Sequence, residues 1–266
     1  MSKFGVSYNV FSDSLELLEH SCQSIRNHVD YISVVYQKVS NTGQPSTEPI
    51  EDVLNELVTF GLVDELYLFK PKVDKGSHAN EIEKRKIGSF ISANAGCQYH
   101  MCADSDELYI GEQLEYIKNI YITEKLVGGY CQMQTFYKSS RYRFKTPEEY
   151  YISLFYDVSQ GHTYEWNAPC QVLVDPTRKI SIPGPTKIFS RQEIEMLHLS
   201  GVRKNYRAKL ESSSAAVNFH TEIDRLVDHY DRFDFASDPR ALWPGCVPCQ
   251  YHELVEVLDD KFNISF

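Results

Sequence analysis

Two aspartates separated by one residue, Asp104 and Asp106, have the clearest potential for chemistry in this chain. Glu107 follows them directly, and a short apolar run that ends at Ala103 precedes them. Carboxylates are costly to bury and like charges this close repel one another, so such a cluster indicates a site that holds a cation. Hard oxygen ligands favour Mg²⁺ or Mn²⁺, which often bind together with a substrate's phosphates. The structural alternative is an acidic turn that caps the next helix.

The predicted elements before this cluster place it at the edge of a sheet. Strand-like and helix-like segments alternate: strands over residues 4–8, 31–36, 63–69 and 97–103, and helices over residues 13–27, 50–60 and 79–95. This order is typical of a doubly wound, mostly parallel α/β sheet, which binds ligands outside the carboxyl ends of its strands. We therefore expect Asn9 and Gln37, at the ends of the first two strands, to join Asp104 in a nucleotide site.

The second half of the chain has a different character. We predict a hairpin over residues 128–144 that turns near residues 138–140, strands over residues 149–158 and 170–174, and helices over residues 190–200, 215–233 and roughly 251–262. Ser190 and Glu193 form a capping-box pattern. The simplest organisation is one compact unit with two halves. Residues 1–127 would bind a nucleotide, and residues 128–266 would bind an acceptor.

Two basic residues of the helix predicted over residues 79–95 are candidates for contact with phosphate. Lys84 and Arg85 would lie near the edge that carries Asp104, and a guanidinium group is a forked donor that suits phosphate. The alternative is a solvated helix face with a Glu81–Arg85 ion pair.

A histidine late in the chain is a candidate metal ligand. His198 would complete the site of Asp106, with Arg203 and Lys204 neutralising phosphate. The alternative is a structural or surface histidine at the end of the helix predicted over residues 190–200.

Residues 137–145 alternate basic and aromatic side chains. Such a strip suits contact with an extended acceptor, including single-stranded nucleic acid, but it also fits the two faces of an ordinary hairpin. Four carboxylates of the second half are candidate general bases: Glu148, Glu149, Asp157 and Glu165. Spacing selects none of them. Glu165 is preferred as the catalytic base because Tyr164 and Trp166 beside it suit stacking on a sugar ring.

The composition is that of an ordinary globular protein. The 266 residues are 42% hydrophobic and 24% charged, and the formal net charge of −10 argues against non-specific binding to nucleic acid or anionic membranes. No apolar run approaches the roughly 18 residues that span a bilayer, and the first residues do not resemble a secretory signal. Seven scattered cysteines indicate reduced thiols and a cytoplasmic protein. Cys246 and Cys249 form a lone CxxC, which we expect to be a reduced pair rather than a zinc site.

Together these motifs resemble the metal-dependent glycosyltransferases that use nucleotide-diphosphate sugars, in the family-2-like group of the GT-A fold, and are similar to viral and bacterial members. The resemblance covers about residues 4–214. It rests on five segments: residues 5–10 and 35–43 as the first two strands with their loops, residues 80–85 as the nucleotide helix, residues 104–107 as the DxD motif, and residues 196–203 as the segment of the late histidine.

The resemblance implies a GT-A-like sheet with an acceptor-side α+β half. It implies transfer of a sugar from a nucleotide-diphosphate donor to an acceptor hydroxyl, with Asp104, Asp106 and His198 holding Mn²⁺ or Mg²⁺. It further implies a set of donor-binding residues: Tyr8, Asn9, Gln37, Lys84, Arg85, Asp104, Ser105, Arg203 and Lys204. No residue matches the family's catalytic base, so inverting and retaining chemistry both stay open.

Three other functions stay open. A glycan is the preferred acceptor, but hydroxylated bases of viral DNA are an alternative because of the basic and aromatic hairpin. A nucleotidyltransferase would normally have a glycine-rich loop after the first strand, and residues 7–12 contain no glycine. A non-catalytic sugar-binding module would not release nucleoside diphosphate.

Overall fold

The computed structural model describes residues 2–160, 163–213, 216–244 and 247–266. Two compact units divide the chain. The first comprises Met1–Met133 and Glu149–Met196, and the second comprises Gln134–Glu148 and Leu197–Phe266. None of the helices in the described ranges has both the length and the apolar character that a membrane crossing requires. Cys246 of the predicted reduced pair lies outside the described residues.

Strands and helices alternate through the first half of the chain, and strands predominate in the second. The strands are β1 (Phe4–Val10), β2 (Tyr31–Tyr36), β3 (Glu65–Leu68), β4 (Tyr99–Ala103), β5 (Glu107–Leu108), β6 (Gly128–Tyr137), β7 (Ser139–Phe144), β8 (Tyr151–Asp157), β9 (Thr186–Ile188), β10 (Glu195–Gly201), β11 (Arg240–Trp243) and β12 (Gln250–Glu256). The α-helices are α1 (Leu15–Ile25), α2 (Ile50–Thr59), α3 (Gly76–Asn94), α4 (Gly111–Thr123), α5 (Tyr206–Ser212) and α6 (Ile223–Arg232).

Four parallel strands form the centre of the sheet in the first unit. β1 lies between β4 and β2, and β3 pairs with the other edge of β2. β8 pairs antiparallel with β4, and β6 pairs antiparallel with β8. Helices α1 and α2 each bury an apolar face; in α1, Leu18, Cys22 and Ile25 are fully buried. The prediction of an α/β fold with a mostly parallel first half is confirmed, with antiparallel strands added on one side.

Helix α3 lies unusually close to β1 because Gly88 has no side chain. A Cβ atom at Gly88 would lie 2.1 Å from the Ser7 Oγ. His100 of β4 is fully buried beside this contact, with its Nδ1 2.8 Å from the Ser92 Oγ. Burial lowers the pKa of His100 to about 3, so this histidine is neutral at pH 7 and acts as a structural residue.

The second unit has an apolar core of its own. β7 pairs antiparallel with β12, and β12 pairs antiparallel with β11. Helix α6 buries Leu226 and Tyr230 in this core, where the Tyr230 ring stacks on Tyr206 with centroids 4.2 Å apart. The hairpin predicted over residues 128–144 is confirmed, and Lys138 forms its turn with a φ of 65°.

Two predicted helices of the second half are wrong, because strand pairing outweighs the local pattern. The Ser190 N–H and hydroxyl both donate to the Glu193 carboxylate, as in a helix cap, but the chain then extends into β10. In β10, Gly201 O accepts a hydrogen bond from the Lys138 N–H at 2.7 Å. The helix predicted near residues 251–262 is instead strand β12.

Two further elements are shorter than predicted. The helix expected over residues 215–233 is α6 alone, preceded by short 3₁₀ turns, and residue 215 lies outside the described residues. The strand expected over residues 170–174 is reduced to a single bridge between Val174 and Tyr151.

Candidate functional site

The acidic cluster follows the carboxyl end of β4, where a tight turn over residues 104–107 leads into β5. The Glu107 N–H closes this turn by donating to the Asp104 O at 3.1 Å. Ser105, Asp106 and Glu107 are each no more than 3% exposed, whereas the Asp104 side chain is 39% exposed. Asp104 is therefore the carboxylate of this turn that solvent reaches most readily.

Two buried guanidinium groups hold the Asp104 carboxylate. The Arg85 Nη2 donates to Oδ1 at 3.4 Å, and the Arg178 Nη2 donates to Oδ2. The Arg178 Nη2 also lies 2.5 Å from the Glu107 Oε1, so this one group bridges two carboxylates. Burial by itself raises the pKa of Asp104, but the charges of Arg178 and Arg85 outweigh it and hold the pKa below its usual range. Asp104 is ionised at neutral pH.

Burial has the opposite net effect on Glu107. Its side chain is 3% exposed, and this desolvation raises the pKa of Glu107 above its usual range, although the charge of Arg178 opposes the shift. Two carboxylates in one turn thus have distinct electrostatic surroundings, and Arg178 contacts both.

A short loop beyond β8 fixes Arg178 in place. The Asp175 Oδ1 accepts hydrogen bonds from the Thr177 N–H at 2.7 Å and from its hydroxyl at 2.6 Å. The Ser153 hydroxyl donates to the Arg178 O at 2.9 Å, which ties the loop to β8. Sequence reasoning missed Arg178, because it lies 74 residues from Asp104 and no spacing or motif marks it.

Helix α3 presents three charged residues near Asp104. Lys84 and Arg85 are 5% and 4% exposed, and burial lowers the pKa of Lys84. One turn earlier, burial raises the pKa of Glu81, while the charges of Arg85 and Lys84 oppose it. The alternative of a solvated face is therefore wrong for Lys84 and Arg85, which are buried and lie near the carboxyl edge of the sheet.

Two amide side chains lie at the same edge. Tyr8 pairs with Ala103 in the register of β1 and β4, so Asn9 comes next to Asp104. Gln37 follows β2 directly. Within the described ranges, the buried Asn9 Nδ2 and Oδ1 and the buried Gln37 Oε1 find no hydrogen-bond partner. A buried polar atom without a partner costs about 1–3 kcal/mol, so these amides mark a place where a ligand's polar groups would be stabilising.

Tyr8 supports the site from the core rather than facing a ligand. Its side chain is fully buried, and its hydroxyl lies 2.9 Å from the Ser21 Oγ. The Ser21 hydroxyl in turn donates to the Glu107 O at 2.5 Å, so these hydrogen bonds connect the acidic turn to the buried core.

Three predicted site residues belong to the second unit. His198 is half-buried on β10, and Lys204 is exposed. Arg203 is 2% exposed, and its N–H donates to the Tyr230 hydroxyl at 2.9 Å. That hydroxyl donates to the Arg203 O at 2.7 Å, so the Arg203 backbone anchors α6 within the second unit.

The candidate bases differ in position. Asp157 pairs with Tyr99 at the amino end of β4, so it lies at the opposite edge of the sheet from Asp104. Its carboxylate accepts the Ser159 N–H at 2.8 Å, which is a structural role. Glu165 is exposed, and its N–H donates at 3.0 Å to the O of Lys179, the neighbour of Arg178.

Two of the four cations in the basic and aromatic strip of residues 137–145 form ion pairs within the second unit. Arg141 pairs with Glu256 and Lys145 pairs with Glu253, each at 2.6 Å. Phe144 points into the core. These pairs favour the ordinary hairpin over a surface for a polyanion.

The donor chemistry at Asp104 fits a hard divalent cation. A carboxylate has about four lone-pair positions, and two guanidinium contacts leave some of them open on its exposed side. Mg²⁺ is typically held by one or two carboxylates together with water and substrate phosphates. Within the ranges that the structure describes, no group of three or more His, Cys, Asp or Glu side chains is arranged to hold a metal.

Comparison with known proteins gives a distant likeness. No protein-family model matches the chain, and no curated protein matches it. The crystal structure of S. aureus TarS 1-349 is 9% identical over 78% of this chain and 63% of that chain, with a TM-score of 0.48. The structure of TarS 1-349 in complex with UDP-GlcNAc is 13% identical over 50% of this chain and 35% of that chain, with a TM-score of 0.38. This chain thus matches less than two thirds of the length of TarS, and at these TM-scores no property of TarS is transferred to it.

Proposed function

We propose that this protein is a glycosyltransferase of the GT-A type. It transfers a sugar from a nucleotide-diphosphate donor to an acceptor hydroxyl, with Mn²⁺ or Mg²⁺ at the acidic turn. The observation that supports this most directly is the set of groups at the carboxyl edge of β1, β2 and β4. An ionised, partly exposed Asp104 lies there beside buried cations and beside the amides of Asn9 and Gln37.

Each group of this edge has a role in the proposal. Asn9 and Gln37 supply donors and acceptors for the nucleoside, which has many polar atoms. Asp104 accepts a hydrogen bond from a ribose hydroxyl or binds the cation. Ser105 and Asp106 complete the DxD turn. Lys84 and Arg85 offset the negative charge of the diphosphate. The cation, when bound, stabilises the charge that develops on the departing diphosphate.

Three proposed contacts come from the second unit. His198 stays the predicted third metal ligand, and Arg203 and Lys204 stay the predicted phosphate contacts. Glu165 stays the candidate base that removes the proton of the acceptor hydroxyl. Glu165 is exposed, and its backbone N–H donates to the O of Lys179, so Glu165 lies near Arg178, the residue that precedes Lys179.

A glycan hydroxyl is the proposed acceptor. The net charge of −10 and the ion pairs of Arg141 and Lys145 disfavour a polyanionic acceptor such as DNA. Neutral glycan hydroxyls need no cationic surface, so they fit this composition better.

A thermal-shift panel tests the proposal. Nucleoside diphosphates and nucleotide sugars with different bases are added with and without Mn²⁺, because a ligand that binds only the native state raises the melting temperature. We expect one base to give the largest shift, and Mn²⁺ to increase it. Release of nucleoside diphosphate from the matching sugar donor then separates a transferase from a sugar-binding module. A panel without any shift would contradict the proposal.

A further inference from the structure

Two carboxylates of the acidic turn over residues 104–107 are paired with buried arginines, and this pairing supports one further inference. The inference rests on the proposed function. Arg178 contacts the carboxylates of both Asp104 and Glu107, and Arg85 adds a second guanidinium group at Asp104. All four lie in the first unit, and the two guanidinium groups are 4% and 7% exposed. Lys84 and Glu81 on α3 add one charge of each sign nearby. The Asp104 carboxylate, which a cation would approach, thus already has two guanidinium partners within the protein.

Arg178 is the central member of this arrangement. It contacts both carboxylates, and its loop is fixed by the Asp175 cap and by Ser153. A guanidinium group so placed competes with a divalent cation for the same oxygen atoms, because both are attracted by the same charge. A donor diphosphate would bring additional negative charge and further oxygen ligands for the cation.

We propose that Arg178 is a positioning residue that acts as an internal counter-cation: it holds Asp104 ready but keeps its affinity for a lone divalent cation low. The cation is then taken up together with the diphosphate of the donor. Arg178 acts through Asp104 and Glu107, and it has no role in the chemistry of transfer itself.

Binding of Mn²⁺ alone to the ligand-free protein tests this inference. Titration followed by the electron paramagnetic resonance of unbound Mn²⁺ compares the wild type with Arg178→Gln, which leaves Asp104 with the Arg85 contact and removes the guanidinium partner of Glu107. We expect Arg178→Gln to bind Mn²⁺ roughly tenfold more tightly, because it removes a positive charge that competes for the Asp104 oxygen atoms at a partly buried site. Arg178→Lys, which keeps the positive charge, should bind Mn²⁺ less tightly than Arg178→Gln. Arg232→Gln on α6, an exposed arginine in the second unit, is the control for net charge.

A second pair of variants covers the case in which Arg178→Gln does not fold. Glu107→Gln leaves Asp104 facing two cations, and Glu107→Gln with Arg178→Gln leaves it facing Arg85 alone. The double variant should bind Mn²⁺ more tightly than Glu107→Gln. Equal or weaker binding after removal of Arg178, in either background, would overturn the inference. This result would not mean that the proposed function fails. Nucleotide binding by the wild type is measured separately and does not depend on the Mn²⁺ affinity of the variants.

Discussion

At the scale of single residues, the turn over residues 104–107 separates positions that face solvent from positions that support them. Asp104 is partly exposed, while Asp106 and Glu107 are buried. The fully buried His100 lies four residues earlier, at the contact between β4 and α3. Removal of a charge has different consequences at each of these positions.

Asp106→Asn should abolish most transfer without loss of the fold. The substitution keeps the shape of the side chain but removes a charge from the proposed cation site. A loss of at least about a hundredfold in turnover corresponds to about 2.7 kcal/mol of transition-state stabilisation, which is within the range for a catalytic metal ion. Turnover is measured as release of nucleoside diphosphate in Mn²⁺, with Asp228→Asn on the exposed face of α6 as the control. Turnover within threefold of the wild type would contradict the assignment.

His100 makes stability depend on pH. Its pKa is lowered from 6.5 to about 3, so the unfolded chain binds a proton below pH 6.5 that the folded protein does not bind. Stability from this group is present above pH 6.5 and is lost as the pH falls towards 3, by about 2 kcal/mol at pH 5.

Comparison with His100→Asn isolates this contribution from that of the carboxylates. Asn can replace the Nδ1 contact with the Ser92 hydroxyl but does not titrate. Urea unfolding at pH 7 and pH 5 should show that the difference in unfolding free energy between the two proteins shrinks at pH 5. A difference that is the same at both pH values would contradict the buried neutral state.

At the scale of elements, the site depends on how closely α3 approaches β1. Gly88 permits this approach, and Arg85 lies one turn earlier on the same helix. The position of the helix therefore determines whether the Arg85 guanidinium reaches Asp104.

Gly88→Ala should destabilise the protein by about 1–3 kcal/mol, because the added methyl group overlaps Ser7 and forces the helix outward. Affinity for the nucleotide donor should fall as well, since Arg85 moves with the helix. Urea unfolding and donor titration measure the two effects. Ser7→Gly combined with Gly88→Ala removes the overlapping side chain and should recover part of both. Wild-type stability in Gly88→Ala would show that this contact is not limiting.

The elements of the first half could be predicted because their local patterns agree with their tertiary roles. β2 has the predicted bounds, Tyr31–Tyr36, and β4 carries Asp104 at its end as expected. The helices predicted over residues 190–200 and roughly 251–262 are wrong for the opposite reason. The apolar spacings there fit a helix as well as a strand, and only the pairing partners of β10 and β12 decide. The role of Arg178 could not be predicted from the sequence, because it depends on a tertiary contact with Asp104, which lies 74 residues earlier in the chain.

At the scale of the whole molecule, net charge limits the acceptor. The chain carries a formal charge of −10, and two of the four cations of the strip over residues 137–145, Arg141 and Lys145, form ion pairs. Binding of a polyanion depends on release of its counter-ions by clustered cations, which this surface does not favour.

Duplex DNA, with or without hydroxylated bases, should therefore show no saturable binding at low-micromolar protein and about 150 mM salt. Fluorescence anisotropy of a labelled duplex measures this directly, with the donor nucleotide and Mn²⁺ present so that the complete site is tested. Submicromolar binding of the duplex that weakens steeply with salt would contradict the proposed glycan acceptor and favour DNA as the acceptor.

The central claim is that the acidic turn binds a divalent cation together with a nucleoside diphosphate. Anomalous diffraction from a crystal that contains Mn²⁺ and the best nucleoside diphosphate of the thermal-shift panel tests it most directly. We predict a manganese peak about 2.1 Å from a carboxylate oxygen of Asp104 or Asp106 and at a similar distance from a phosphate oxygen. A nucleotide bound with no manganese peak near residues 104–107, or with the peak elsewhere, would contradict this account.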